Sequence, residues 1–200
     1  MQHRYLIIEG NIGSGKTTLA KYIAENYNYG ILLEEFAENT FLPQFYENPE
    51  QFAFPLEMSF MAARYKQLKA FFTKQTLPFP VVADYMFEKC LLFAKTNLRK
   101  EEFKLYEQFF SLLKPQIPNP QLIVYLHKDV SKLQKNIRNR GRSYEQQIKD
   151  EYLEKINNAY LTFMKKNKKA KILFLETNEL DFVANHKHFN LIVEKIVNFK

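Results

Sequence analysis

Residues 10–17 read Gly-Asn-Ile-Gly-Ser-Gly-Lys-Thr, which fits the pattern G-x-x-x-x-G-K-[ST]. No other stretch of the chain restricts its fold so tightly. Glycines let the backbone curl until successive N–H groups face one point, and that point suits a phosphate. The arrangement needs a strand running into the first glycine and a helix starting at the lysine. The helix N-terminus then adds its partial positive charge. Both flanks are present. Tyr5 to Glu9 is a short apolar strand, and Leu19, Ala20, Ile23, Ala24 and Tyr27 form a helical stripe over residues 16–27. Lys16 supplies a point charge for the β- and γ-phosphates, and the Thr17 hydroxyl is a ligand for Mg²⁺. The phosphate-binding set is Gly10, Asn11, Ile12, Gly13, Ser14, Gly15, Lys16, Thr17 and Thr18. It implies binding of a nucleoside triphosphate and leaves the phosphate's destination open.

Composition narrows the class. At 200 residues the chain reads as one domain, residues 1–200, burying about 70% of its unfolded surface. No apolar run exceeds five residues (Cys90 to Ala94, Leu122 to Leu126), so no membrane span is expected, and the N-terminal strand is too short for a signal peptide. The single Cys90 excludes an intrachain disulfide, a Cys₄ zinc site and an iron–sulfur cluster, which fits a cytoplasmic protein. The net charge of +7 favours anionic partners, nucleotide phosphate or nucleic acid. The run Lys165, Lys166, Lys168, Lys169, Lys171 reads as the solvated end of a helix, so nucleic acid is not expected.

Strand and helix patterns alternate. Strands are expected at 5–9, 31–33, 80–83, 122–126 and 172–175. Helices are expected at 16–27, 49–74, 86–95, 101–113, 130–139, 144–166 and 188–198, with Pro55 kinking or delaying the long one and Asp129 as an N-cap. This order implies an α/β fold with a five-stranded parallel sheet and helices on both faces. Ligands of such sheets sit at the carboxyl ends of the strands. The polar residues there are Glu9, Glu34-Glu35, Asp84, His127 and Glu176. Glu9, which precedes the loop, reads as structural.

Three features favour a small-molecule kinase. Glu34 and Asp84 stand where a carboxylate can meet a hydroxyl and a metal. Arg138, Arg140 and Arg142 fall within five residues, a costly grouping unless they meet anions. The chain also ends soon after the fifth strand. The segments IEGNIGSGKTTL (8–19), LEEFAENTFLPQFYENPEQFAFPLEMSFMAARYKQ (33–67), ADYMFEKCLLFAK (83–95) and IRNRGRSYEQ (137–146) together resemble the deoxynucleoside kinase family, the deoxyguanosine, deoxyadenosine and deoxycytidine kinase group.

The resemblance implies a P-loop nucleoside-kinase-like three-layer fold with an arginine-rich lid at about 138–147. It implies ATP as phosphoryl donor, Mg²⁺, a deoxynucleoside acceptor phosphorylated at its 5′-hydroxyl for nucleotide salvage, and a homodimer packed through helices of the segment 50–115. Glu34 falls on the acid that contacts the 5′-hydroxyl; Glu35 is its rival, and the spacing to Tyr46 and Asn39 favours Glu34. Asp84 falls on an acid near Mg²⁺ and is the alternative proton acceptor. Tyr46 and Glu145 fall on the pair that holds the 3′-hydroxyl. Arg138, Arg140 and Arg142 resemble the lid arginines that close over the phosphoryl group, and Asp181-Phe182 the loop that covers the donor adenine.

The sequence departs from the family at two places. The family's D-R-S is Asp84-Tyr85-Met86 here, so an arginine beside the 5′-hydroxyl is missing, and another cation must substitute or the proton affinity of Glu34 must differ. The base-reading glutamine falls on Glu57, and the acid that partners Arg64 falls on Cys90, so Arg64 is expected to pair with Glu57. That acceptor and donor suit a purine better than thymine. The substrate-binding set is therefore Glu34, Tyr46, Glu57, Arg64, Tyr85, Cys90 and Glu145. A nucleoside monophosphate kinase is the nearest rival, yet outside the lid arginine occurs only at Arg4, Arg64 and Arg99. A non-catalytic nucleotide-binding or nucleic-acid-binding protein is the rival from another class.

Overall fold

The computed structural model describes residues 3–35, 39–74, 80–167 and 170–199. Five strands form one sheet: β1 (Tyr5–Gly10), β2 (Gly30–Leu32), β3 (Val81–Ala83), β4 (Leu122–His127) and β5 (Lys171–Glu176). Their order is β2-β3-β1-β4-β5, and every neighbouring pair is parallel. Parallel neighbours require crossovers, which eight helices carry among the described residues: α1 (Lys16–Tyr27), α2 (Phe41–Glu47), α3 (Pro49–Lys74), α4 (Lys89–Asn97), α5 (Lys100–Leu113), α6 (Val130–Arg140), α7 (Asp150–Lys166) and α8 (His186–Asn198).

Strand alternation divides the core into two layers. Tyr5 and Ile7 of β1, with Ala83, Ile123 and Tyr125, face a cluster that includes Leu68 of α3, Tyr106 and Phe110 of α5, and Ile156 and Tyr160 of α7. Leu6 and Ile8, with Val82, Val124 and Leu126, face Leu19, Ala20 and Ile23 of α1 and Ile192, Val193 and Ile196 of α8. β1 lies between β3 and β4, where the winding reverses, so a crevice opens at its carboxyl end. The phosphate loop begins there.

Several expected boundaries move. The helix expected from Met86 begins at Lys89, because the Met86 N–H is taken by the Glu9 carboxylate at 2.9 Å. The helix expected from Tyr144 begins at Asp150. Residues 143–145 instead form a 3₁₀ turn whose Glu145 side chain is drawn to Arg140 and Arg142. α2 was not expected; Pro43 disguises it, yet proline is tolerated in a first turn. Pro55 lies inside α3 without delaying its start at Pro49. Asp129 takes the N-cap position of α6, but its side chain makes no capping hydrogen bond. Lys165 and Lys166 are exposed in the last turn of α7, while Lys168 and Lys169 lie outside the described residues. Among the described residues, no helix is long and apolar enough to cross a membrane.

Candidate active site

The loop from Gly10 to Lys16 is shaped by its contacts. Gly13 (φ 80°) and Gly15 (φ 93°) adopt left-handed conformations, and a Cβ on Gly13 would lie 2.8 Å from the Leu133 carbonyl oxygen. Asn136 Nδ2 donates to the Gly13 carbonyl at 2.7 Å, and Asn11 Nδ2 donates to Leu153 O and Asn157 Oδ1, both at 2.8 Å. α6 and α7 thus hold the loop from behind. α1 carries no acidic residue in its first turn, so its positive end is not neutralised. The Ser14 hydroxyl is buried without a hydrogen-bond partner among the described residues. Lys16 Nζ donates to the Asn11 carbonyl at 2.8 Å; burial, reinforced by nearby Lys89, lowers its pKa to about 8. Thr18 sits half-buried in the first turn of α1 and Ile12 half-buried in the loop.

Beside the loop, Asp84 joins two strands' ends. Its Oδ2 accepts from the Thr17 hydroxyl at 2.5 Å and its Oδ1 from the Glu34 N–H at 2.7 Å. Glu34 is held between two cations. Oε1 accepts from Arg64 Nε at 2.7 Å and lies 2.6 Å from Arg64 Nη2, and Oε2 lies 2.6 Å from Lys89 Nζ. Burial pushes the Glu34 carboxyl up, but Arg64 and Lys89 more than offset it and hold the group at about 2.

Lys89 is the functional candidate that the sequence reading missed. Its ammonium lies against Glu34, four residues after Tyr85, where the expected arginine is missing. A lysine at the head of the apolar run Cys90 to Ala94 was a legible signal, because a buried lysine needs a partner.

The Arg64–Glu57 pair expected from the sequence is not formed. Arg64 turns to Glu34, where Nε and Nη2 reach one oxygen, and its Nη1 donates to Cys90 Sγ at 3.4 Å. Glu57 Oε1 instead accepts from Asn97 Nδ2 at 2.7 Å. Burial raises its carboxyl to about 7 despite Asn97 and Arg64. Tyr85, placed in the substrate set by sequence, is wholly buried in the core, and its hydroxyl donates to Gln67 Oε1 at 2.5 Å. It supports the site from behind. Cys90 likewise meets Arg64 within the core.

Two of the arginines expected in the lid, Arg140 and Arg142, converge on Glu145. Arg140 Nε donates to its Oε2 at 2.9 Å and Arg142 Nη1 to its Oε1 at 3.1 Å. Arg138 is exposed on the last turn of α6. Tyr46 of α2 stacks on Tyr144 with centroids 6.5 Å apart. Burial raises the Tyr46 hydroxyl well above its ordinary range, and neighbouring Tyr152 and Glu145 add to the shift. The structure therefore brings Tyr46 and Glu145 into one neighbourhood. On the loop's other side Phe182 is buried against Gly15, where a Cβ would come within 2.7 Å of its ring. The Asp181 carboxylate accepts from the N–H groups of Val183 and Ala184, ordering that turn.

Glu9 is fully buried and accepts from Met86 N–H and, at 2.8 Å, from the Tyr160 hydroxyl. This is the structural role expected of it. The hydroxyl of Thr17 and the carboxylate of Asp84 are hard oxygen donors of the kind Mg²⁺ takes, so the residues present fit that ion.

Residues 6–199 match the deoxynucleoside kinase family. A deoxyguanosine kinase of Bacillus subtilis (strain 168) is 33% identical over 199 residues, covering 96% of this chain and 95% of its own length. A deoxyadenosine/deoxycytidine kinase of the same organism is 27% identical over 201 residues, covering 96% and 91%. The structure of deoxyadenosine kinase from M. mycoides with bound dATP superposes with a TM-score of 0.83 at 25% identity, covering 97% of this chain and 100% of that one.

Proposed function

The chain belongs to the deoxynucleoside kinase family and so phosphorylates deoxynucleosides with ATP, and we propose that the acceptor is the 5′-hydroxyl of a purine deoxynucleoside, for nucleotide salvage in the cytoplasm. The observation that carries this reading is the chain of contacts from Thr17 through Asp84 to Glu34. It joins the phosphate loop to a carboxylate fixed by two cations, as an in-line transfer between donor phosphate and acceptor hydroxyl requires.

In that transfer the O5′–Pγ bond forms as the bond from Pγ to the β,γ-bridging oxygen breaks, releasing ADP, and the hydroxyl proton passes to Glu34. The alternative acceptor, Asp84, accepts from Thr17 and the Glu34 N–H, which suits it to holding Mg²⁺ with Thr17. Mg²⁺, when bound, supplies charge neutralisation at the phosphates. Because the hydroxyl becomes acidic only as transfer proceeds, Glu34 works as an ionised, oriented acceptor despite its low proton affinity. Lys16, Arg140 and Arg142 stabilise the developing charge, with Arg138 beside them. Tyr46 and Glu145 hold the 3′-hydroxyl, Glu57 meets the base, and Asp181-Phe182 lies at the donor side.

We read residues 1–200 as one kinase domain with its lid at about 138–147. Leu105, Phe109 and Leu112 form an exposed apolar stripe on α5, which supports a homodimer packed on that helix. The decisive assay offers Mg-ATP with each deoxynucleoside, the ribonucleosides and the deoxynucleoside monophosphates, beside Lys16→Ala. Transfer to purine deoxynucleosides that is lost in the variant is expected. Turnover on monophosphates alone would overturn the reading.

A further inference from the structure

Glu57 carries one feature the transfer reaction does not use. Its Oε1 accepts from Asn97, while its Oε2 is buried with no hydrogen-bond partner among the described residues. A buried acceptor left without a hydrogen bond forfeits its hydration uncompensated, so the position is poised for a donor or for a proton.

The surroundings leave both open. From α3 itself Arg64 faces it; from α4, Lys89, Cys90 and Asn97; from the end of β2, Glu34. From α5 the Tyr106 hydroxyl donates to the Glu57 carbonyl at 3.3 Å, and from α7 the Tyr152 hydroxyl accepts from Asn97 at 3.3 Å. Both cations are committed to Glu34, whose own charge opposes ionisation of Glu57. Burial therefore raises the carboxyl to about 7, within the physiological range.

Resting on the reading that Glu57 meets the base, we propose that Glu57 selects the purine by its protonation state, the carboxylate taking guanine and the carboxylic acid taking adenine. A carboxylate offers acceptors only, and guanine presents the adjacent donors N1–H and N2–H₂. Adenine presents the acceptor N1 beside the donor N6–H₂, which needs a donor and an acceptor together, and the neutral acid has both. Each wrong combination sets donor against donor or acceptor against acceptor in a buried site. Guanine binding then releases the Glu57 proton, and adenine binding retains it.

The test is the ratio of kcat/KM for deoxyguanosine to that for deoxyadenosine, on the full chain with Mg-ATP, from about pH 5.5 to about pH 8.5. Transfer chemistry is common to both substrates, so ionisations of the catalytic groups cancel in the ratio, and neither purine titrates in this range. The ratio should rise by about tenfold or more across the window. Glu57→Gln offers a donor and an acceptor at every pH, and should hold the ratio flat while shifting it toward deoxyadenosine. A flat ratio in the unaltered chain, with both purines phosphorylated, overturns the proposal and leaves the kinase reading intact. A Gln variant whose ratio still swings also overturns it, because another group then titrates. Failure of the unaltered chain to phosphorylate any deoxynucleoside overturns the kinase reading, and the proposal with it.

Discussion

Lys89 and Arg64 divide the Glu34 carboxylate between them, one cation to each oxygen. Breaking a buried ion pair by removing one partner costs on the order of 3–5 kcal/mol, since the other charge stays buried. Lys89→Met is expected to lower the unfolding free energy by several kcal/mol and kcat by about tenfold or more, and Lys89→Arg to recover much of both. Urea unfolding and steady-state kinetics check this. A Lys89→Met chain with unaltered kcat and stability would show that Arg64 alone holds Glu34. Glu57 acts in the opposite direction. Its carboxyl lies at about 7 in the folded chain against an ordinary 4.5, so the folded state binds the proton more tightly. Its contribution is therefore greatest below about pH 4.5, falls as pH rises toward 7, and is flat above. The shift corresponds to a loss on the order of 3 kcal/mol. Relative to the unaltered chain, Glu57→Gln should gain stability between pH 5 and pH 8 by about that amount. Chemical unfolding at the two pH values measures it, and a constant difference would count against a raised Glu57.

At the scale of elements, the glycines that end and begin helices have unequal weight. Gly141 caps α6 with φ 72°, and a Cβ there would meet nothing within 4 Å. Gly141→Ala therefore costs only the left-handed strain of about 1 kcal/mol and should leave the lid's chemistry in place. Gly15 has φ 93° as well, but its Cβ would strike Phe182 at 2.7 Å. Gly15→Ala must displace either the phosphate loop or the turn after β5, and nucleotide binding should be lost. Calorimetric titration with ATP separates the two variants, and equal losses would mean that the lid turn, too, depends on its glycine for more than backbone strain. Ring contacts tie α2 to its neighbours, because Tyr46 stacks on Tyr144 while Phe45 packs on Tyr152 of α7.

For the whole molecule, the sheet order decides everything that meets at the site. Placing β1 between β3 and β4 brings Asp84, at the end of β3, against Thr17, at the head of α1, and leaves α6 and α7 to brace the loop on the far side. Because donor binding engages elements from across the fold, it should stabilise the fold as a whole. At a free concentration of Mg-ATP about 100 times its Kd, mass action adds about 2.7 kcal/mol to the unfolding free energy. Thermal unfolding with and without Mg-ATP reads this, and Lys16→Ala should show no shift. A shift that survives in the variant would mean that the stabilising nucleotide does not sit on this loop.

Local pattern sufficed for whatever local physics governs. The spacing of Gly13, Gly15, Lys16 and Thr17 specifies the loop, and apolar periodicity specifies α1 and α3 to the residue and the five strands to within a residue or two. The strand-end rule put Glu34 and Asp84 in a short set with Glu9, Glu35, His127 and Glu176 before any neighbour was known. The start of α4 and the start of α7 escaped it, since each is set by a distant or lid carboxylate, Glu9 for the one and Glu145 for the other. The partner of Arg64 escaped it for the same reason. Position along a helix favoured Glu57, but the approach of two Arg64 nitrogens to one Glu34 oxygen and the second cation from Lys89 on the other arise only when three separate elements close around one buried carboxylate. Residue type and spacing state what charges a chain carries, and the tertiary structure decides which of them must neutralise one another, because burial makes every unpaired charge expensive.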